Sequence, residues 1–185
     1  LTIFLARLQR LLGDKFAQLA WYTWGGAMGA ELLASLDVLA QVLGEPATQT
    51  SAQDTRCAVK TLCGRKIDLL IFVGGDGTAR DVLTSIDERT CALGLPAGVK
   101  MHSGVFAISA NAAADVVAGL VQGSLVGRIE REVRDYVPMS SDNPIARHQV
   151  VATKRYGELW VPEAGGYLQH MKVGGKEDEG LVVQE

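Results

Sequence analysis

The run Gly74-Gly75-Asp76-Gly77-Thr78 sets one carboxylate among glycines. Glycine lets a backbone come close to a ligand and take conformations that a side chain forbids. Backbone N–H groups in such a turn, at the start of a helix, attract anions and above all phosphate. An acid in a phosphate cradle repels its ligand and so needs a task. Two tasks fit Asp76. It holds Mg²⁺ between itself and the phosphates, or it takes a proton from a substrate hydroxyl. A second glycine turn, Pro96-Ala97-Gly98, leads into Lys100, His102 and Ser103. Lys100 reads equally as a point charge holding phosphate and as a solvated loop lysine. Ser103 lacks the first glycine of a nucleophile elbow, because Met101 stands there. His102, His148 and His170 have no metal-ligand spacing, and His102 is the best placed of them to line a crevice. Arg80, in the first turn of the next helix, opposes the helix dipole, so it either contacts a ligand or points into solvent.

The elements around these residues make the glycine turns meaningful. Ile67 to Val73 is an apolar, β-branched run and reads as a buried strand, central in a parallel sheet. Val82, Leu83 and Ile86 then recur at helical spacing. The bland alternatives are a strand–helix loop with no ligand, and a hairpin turn at Asp76-Gly77. The helical spacing that follows argues against the hairpin. Thr90 to Leu95 is the next strand, and Pro96-Ala97-Gly98 is its exit. Ligands of open α/β sheets bind along the carboxyl edge, so two such exits from neighbouring strands face one crevice. The run is not a dinucleotide fingerprint, since Arg80 replaces the third glycine, and no Walker A loop occurs.

Upstream, Leu1 to Leu12 reads as a helix with Ile3, Leu5, Leu8 and Leu12 among its apolar positions. Leu19 to Thr23 is a strand with Trp24-Gly25-Gly26 as its exit, Met28 to Ser35 a helix, and Val38 to Leu43 an ambiguous short strand. Thr50 or Ser51 caps the next helix, with Asp54 placed as in a capping box, and Gly64 ends it. Downstream, Met101 to Ala107 reads as the start of a helix. Asn111 to Val121 is a surer helix, capped by Ser109 or Asn111 and followed by Gly123. After Gly127 the chain turns charged. Val137 to Asn143 reads as a loop, and Gln149 to Lys154, Gly157 to Val161 and Tyr167 to Val173 as short strands separated by turns. The whole is α/β: a Rossmann-like parallel-sheet domain over residues 1–125, then part of a β-rich second domain over 126–185.

The 185 residues are 48% hydrophobic, enough for a packed core, with a net charge of −3. That balance argues against general nucleic-acid binding, which needs a basic surface. No apolar run reaches the roughly 18 residues of a membrane span, so no membrane partner is expected. No signal-peptide pattern stands at the front. Cys57, Cys63 and Cys91 have no metal spacing and read as reduced, mostly buried thiols of a cytoplasmic protein.

With these residues in view, a family resemblance can be stated. Gly74-Gly75-Asp76-Gly77-Thr78 resembles the signature of the superfamily of NAD kinases, diacylglycerol kinases and 6-phosphofructokinases. Leu93 to Ala107, including Pro96-Ala97-Gly98-Val99-Lys100-Met101-His102-Ser103-Gly104, is similar to the ATP-NAD kinase-like branch that includes proteins associated with acetoin catabolism. Thr50 to Thr55, Arg155 to Pro162 and Tyr167 to His170 fit the same branch. The resemblance implies phosphoryl transfer from ATP, with Mg²⁺, to a hydroxyl of NAD or another small acceptor. It implies Asp76 as the catalytic residue, through Mg²⁺ or as a base. Gly74, Gly75, Gly77, Thr78, Gly98, Lys100 and Ser103 become the nucleotide contacts. A homo-oligomer is expected. Pro96 stands where NAD kinases carry Asn, and their later Asn-Glu/Asp pair has no counterpart, so the acceptor stays open. The rival reading is a nucleotide-binding sensor or accessory protein of a catabolic pathway, without transfer. The resembled family opens with a strand and an Asn-Pro-x-Ala-Gly-type turn, and continues beyond a second domain of three short strands. The chain is therefore expected to be an incomplete form of its protein.

Overall fold

The computed structural model describes residues 1–98, 101–138 and 151–169. In chain order the elements are α1 (Thr2–Leu12), β1 (Trp21–Thr23), α2 (Ala30–Ser35), β2 (Ala40–Val42), α3 (Ala52–Cys63) and β3 (Leu69–Gly74). They continue with α4 (Asp76–Leu83), β4 (Cys91–Pro96), α5 (Ala110–Gln122), β5 (Arg128–Pro138) and β6 (Val151–Pro162). The class is α/β, as the residues imply. β1 runs parallel to β2, β3 runs parallel to β4, and β5–β6 is an antiparallel ladder. No helix among the described residues is long and apolar enough to cross a membrane.

Helix α1 buries Phe4, Leu5, Leu8 and Leu12, while the apolar Ile3 is 63% exposed. The apolar stripe is set by Phe4 and Leu8, one turn apart, and Ile3 falls to its outer side. Its partner α5 offers Ala112, Ala113 and Val116, all buried. Arg7 fastens the two helices with a fork of bonds to Asp115 at 2.9 and 3.1 Å. Ser109 caps α5 by accepting from Ala112 N at 3.1 Å, and Gly123 ends it at φ +75°. At α3 the N-cap is Ser51, and Asp54 accepts from its N–H and its hydroxyl, both at 2.8 Å. A bond from the Ala47 N–H is the largest of the influences that hold Asp54 below the usual carboxylate range.

Three expectations are corrected. Met101 to Ala107 is not a helix. Val105, Phe106 and Ala107 are fully buried, and Gly94 exchanges backbone bonds with Val105 and Ala107 at 2.9 and 3.0 Å. The segment behaves as a strand fragment because Val105 and Phe106 supply apolar bulk that β4 lacks at Gly94. Second, the two short strands expected around Gly157 are one strand, β6. The ladder register shifts there, from Val133 opposite Gly157 to Arg134 opposite Arg155. Tyr156 is the extra residue, and Gly157, at φ +159°, marks a bulge instead of a turn. Third, Cys57 is exposed, while Cys63 is buried and Cys91 half-buried, all three free. The expected loop at Val137 begins as the end of β5. Residues 139–150 and 170–185, with the expectations placed on His148, His170 and Met171 to Val173, lie outside the described residues.

β3 also differs from the reading of a central strand. Leu70 and Phe72 are buried, but Val73 is 45% exposed, and among the described residues β3 pairs with β4 alone. The core between β4 and the following segment is tight at Gly94. Phe72 and Phe106 meet edge to face at 5.5 Å across it. A Cβ on Gly94 would stand 2.6 Å from Cε1 of Phe106 and 2.9 Å from Cζ of Phe72. Two rings must move to admit it. Gly94→Ala is expected to lower the unfolding free energy by about 1–3 kcal/mol, the cost of overpacking a filled core. A urea titration checks it, and an unchanged midpoint would mean that the rings yield freely.

Candidate functional site

Strand β3 delivers the chain to the glycine turn, and the register puts Gly74 directly opposite Pro96 of β4. Ala97 N–H donates to Gly74 O at 3.0 Å. Both glycine-bearing exits therefore leave the same edge side by side. Gly74 is needed by the fold. A Cβ there would lie 2.6 Å from Cβ of Thr78, whose side chain folds back over it. Gly75 is the N-cap of α4, at φ −117°, with no side-chain cap bond. The first helical bond runs from Ala79 N to Gly75 O at 3.0 Å. The N–H groups of Asp76, Gly77 and Thr78 consequently have no acceptor within the helix.

Gly75, Gly77 and Gly98 are another matter. Among the described residues, a Cβ on Gly75 would meet nothing nearer than Met101 Sδ at 3.9 Å. On Gly77 it would meet Asp135 Oδ2 at 3.9 Å, and on Gly98 Met101 Cε at 3.5 Å. These are ordinary contacts. Inside α4, Gly77 even costs about 0.5–1 kcal/mol relative to alanine. The packing of the described residues does not call for glycine at the three positions, which leaves space beside them.

Asp76 is 7% exposed and joins the two exits. Its Oδ2 accepts from His102 N–H at 2.8 Å and its Oδ1 from Ser103 N–H at 3.0 Å. Ser103 is 1% exposed, and its hydroxyl is engaged on both sides by Arg134. It donates to Arg134 O at 2.9 Å and accepts from Arg134 N–H at 3.0 Å. The expected nucleotide contact thus stands behind the crevice, tying the second exit to β5. Thr78 is half-buried against Gly74. Lys100 lies outside the described residues.

Spacing along the sequence did not bring forward β5 as a wall of the site. His102 Nε2 lies 2.5 Å from the Tyr136 hydroxyl, with the rings edge to face at 4.5 Å. Arg80 pairs with Asp135 at 3.1 Å and lies 5.2 Å from the ring centroid of Tyr156. A hydrogen bond to Tyr156, the largest influence, and the Asp135 charge hold its guanidinium more firmly charged, against the opposing effect of burial. Arg80 is therefore half-buried and paired, held between β5 and β6. The signal for β5 was present: Ile129 and Val133 are four apart, an even spacing that puts both on one face of a strand.

No group of three or more His, Cys, Asp or Glu side chains gathers among the described residues. A magnesium ion that arrives with a nucleotide takes one or two carboxylates, the rest being phosphate oxygens and water. Asp76 keeps lone pairs beyond its two N–H bonds, so its donor set fits such an ion. It is the residue that would hold the ion, which would neutralise phosphate charge.

Comparison with known proteins gives one family match. No curated protein and no solved structure matches the chain. The ATP-NAD kinase N-terminal domain matches residues 3–125, from α1 past both glycine exits to the end of α5. By that match over most of its length, the chain belongs to the ATP-NAD kinase N-terminal domain family.

Proposed function

We propose that this chain carries the phosphate-binding side of a cytoplasmic, NAD kinase-like phosphotransferase. It moves the terminal phosphoryl group of ATP to a hydroxyl of NAD or another small acceptor. The observation that carries this reading is the set of three glycines, Gly75, Gly77 and Gly98, that the fold does not require. They surround a helix N-terminus at the edge where two strand exits meet. Phosphoryl transfer demands positioning and charge neutralisation more than covalent chemistry. The N–H groups of the first α4 turn hold phosphate oxygens. Asp76 orients the acceptor hydroxyl and takes its proton as the bond to phosphorus forms. Bound Mg²⁺ would supply charge neutralisation. The run from Leu93 to Ala107 supports a place in the branch associated with acetoin catabolism.

A second reading has one observation in its favour. Both oxygens of Asp76 already hold main-chain N–H groups, which suits a carboxylate that shapes a binding site without chemistry. In that case the chain is a nucleotide sensor. Incubation with ATP, Mg²⁺ and NAD separates the two. The kinase reading expects ADP and phosphorylated NAD in equal amounts, or ADP matched to another hydroxyl acceptor. Saturable ATP binding with no ADP across a panel of hydroxyl acceptors would establish the sensor instead.

A further inference from the structure

The segment after the second glycine exit runs along β5 without pairing to it as a strand does. Gly104 N–H donates to Glu132 O at 3.0 Å. One residue back, the Ser103 hydroxyl bonds Arg134 O and Arg134 N–H, at 2.9 and 3.0 Å. One further back, His102 Nε2 meets the Tyr136 hydroxyl at 2.5 Å. Gly104, Ser103 and His102 thus follow β5 at Glu132, Arg134 and Tyr136, every second residue of the strand. Alternate residues present their main-chain groups to the same edge, so the bonds at Glu132 and Arg134 leave one edge of β5.

A strand laid along that edge would answer β5 with its own main-chain N–H groups. Those of His102 and Ser103 are committed elsewhere. They donate to Oδ2 and Oδ1 of Asp76, at 2.8 and 3.0 Å. At each of the two residues a side chain makes the bond to β5 and leaves the N–H for the carboxylate. The two side chains differ in setting. Ser103 is 1% exposed, and its hydroxyl serves the Arg134 main chain whatever Asp76 does. Tyr136 is exposed and His102 half-buried, so water can replace either partner in their bond. Such a bond adds little to stability. It does fix the His102 ring, because the two rings also meet edge to face with centroids 4.5 Å apart.

We propose that Tyr136 is a positioning residue for phosphoryl transfer: through the His102 ring it holds the N–H groups of His102 and Ser103 against Asp76. This role rests on the phosphotransferase reading and adds to it a part for β5. Asp76 stands on α4 and the segment 102–104 follows β4, whereas Tyr136 belongs to β5. Transfer therefore depends on where β5 lies as well as on the glycine turn. A carboxylate gripped at both oxygens keeps one orientation towards the acceptor hydroxyl, and orientation is a large part of what this chemistry needs.

Tyr136→Phe removes the hydroxyl and keeps the ring contact. Three quantities are read on the full chain: amide exchange at His102 and Ser103 by NMR, turnover against KM for ATP, and the urea midpoint. Exchange at the two amides should rise about tenfold, while exchange at Ala92 and Leu95 of β4 stays as it was. Turnover at saturating substrate should fall about tenfold, short of the roughly 10²-fold cost of a full ångström of misplacement. KM for ATP and the midpoint should not move. His102→Ala should match Tyr136→Phe, and the double variant should lose no more than either alone. His102→Gln, which carries an amide near the place of Nε2, should keep most of the turnover. A bond that only stabilises the fold predicts instead that turnover and midpoint fall together. That result would overturn the proposal, as would unchanged exchange at both amides, faster exchange with full turnover, or additive losses in the double variant. A wild-type chain that transfers no phosphate would end the phosphotransferase reading, and this role in transfer with it. Faster exchange in Tyr136→Phe would then still show that Tyr136 holds the two amides on Asp76.

Discussion

Gly75→Val is expected to leave the protein folded and to weaken ATP binding by about tenfold or more, or at least 1.4 kcal/mol. The two halves of this expectation rest on different observations. The fold half rests on space and backbone. Gly75 has φ −117°, which any residue adopts, and its nearest neighbour for a Cβ is Met101 Sδ at 3.9 Å. Met101 is flexible and half-buried, so it can give way to the two methyl groups. The binding half rests on the helix N-terminus. A ligand oxygen reaches the N–H groups of Asp76 and Gly77 across the space that the valine would fill. Gly94→Ala provides the contrast, since it strikes Phe106 and Phe72 in the core and costs stability with no ligand present. Calorimetric titration with ATP and a urea titration on the same sample read both quantities. A folded Gly75→Val protein with unchanged ATP affinity would put the phosphate site elsewhere.

The glycine turn was legible because its neighbours constrain it twice. An apolar β-branched run and a helical period meet at Gly74 and Gly75, and few local structures satisfy both. The same holds for Ser51 with Asp54 and for Ser109 with Gly123, where local bonds decide the helix ends. What was not legible depends on partners distant in the chain. Phe106 is drawn out of helical register by the gap over Gly94, a fact of the β4 neighbourhood and not of the local spacing. Arg155 and Tyr156 read as a turn between two strands until the β5 register shows one continuous strand there. That the Ser103 hydroxyl bonds Arg134, on another strand, is equally invisible in local spacing. The walls contributed by Tyr136 and Asp135 are of the same kind. Their residues carry no motif, and only the β5–β6 ladder brings them beside α4.

These distant contacts change what Asp76 has to do. Among the described residues its side chain joins the two glycine exits, and through Ser103 it is linked to β5 as well. Removing its charge therefore tests shape and chemistry together, and the readouts must separate them. In Asp76→Asn one oxygen still accepts an N–H bond, while the amide NH₂ faces the other N–H as a second donor. The lost bond is expected to lower the unfolding free energy by about 1–3 kcal/mol. If Asp76 also takes the acceptor's proton, turnover falls by roughly 10²-fold or more, the usual scale for loss of a general base. ATP affinity then holds or rises, because an acid no longer repels the phosphates. A purely structural role predicts a different set: affinity and turnover fall together, in step with the urea midpoint. Turnover under saturating ATP, ATP affinity and the midpoint, taken on one preparation, distinguish the outcomes. An Asn variant with full turnover would remove Asp76 from the chemistry and leave it as the bond between the two exits.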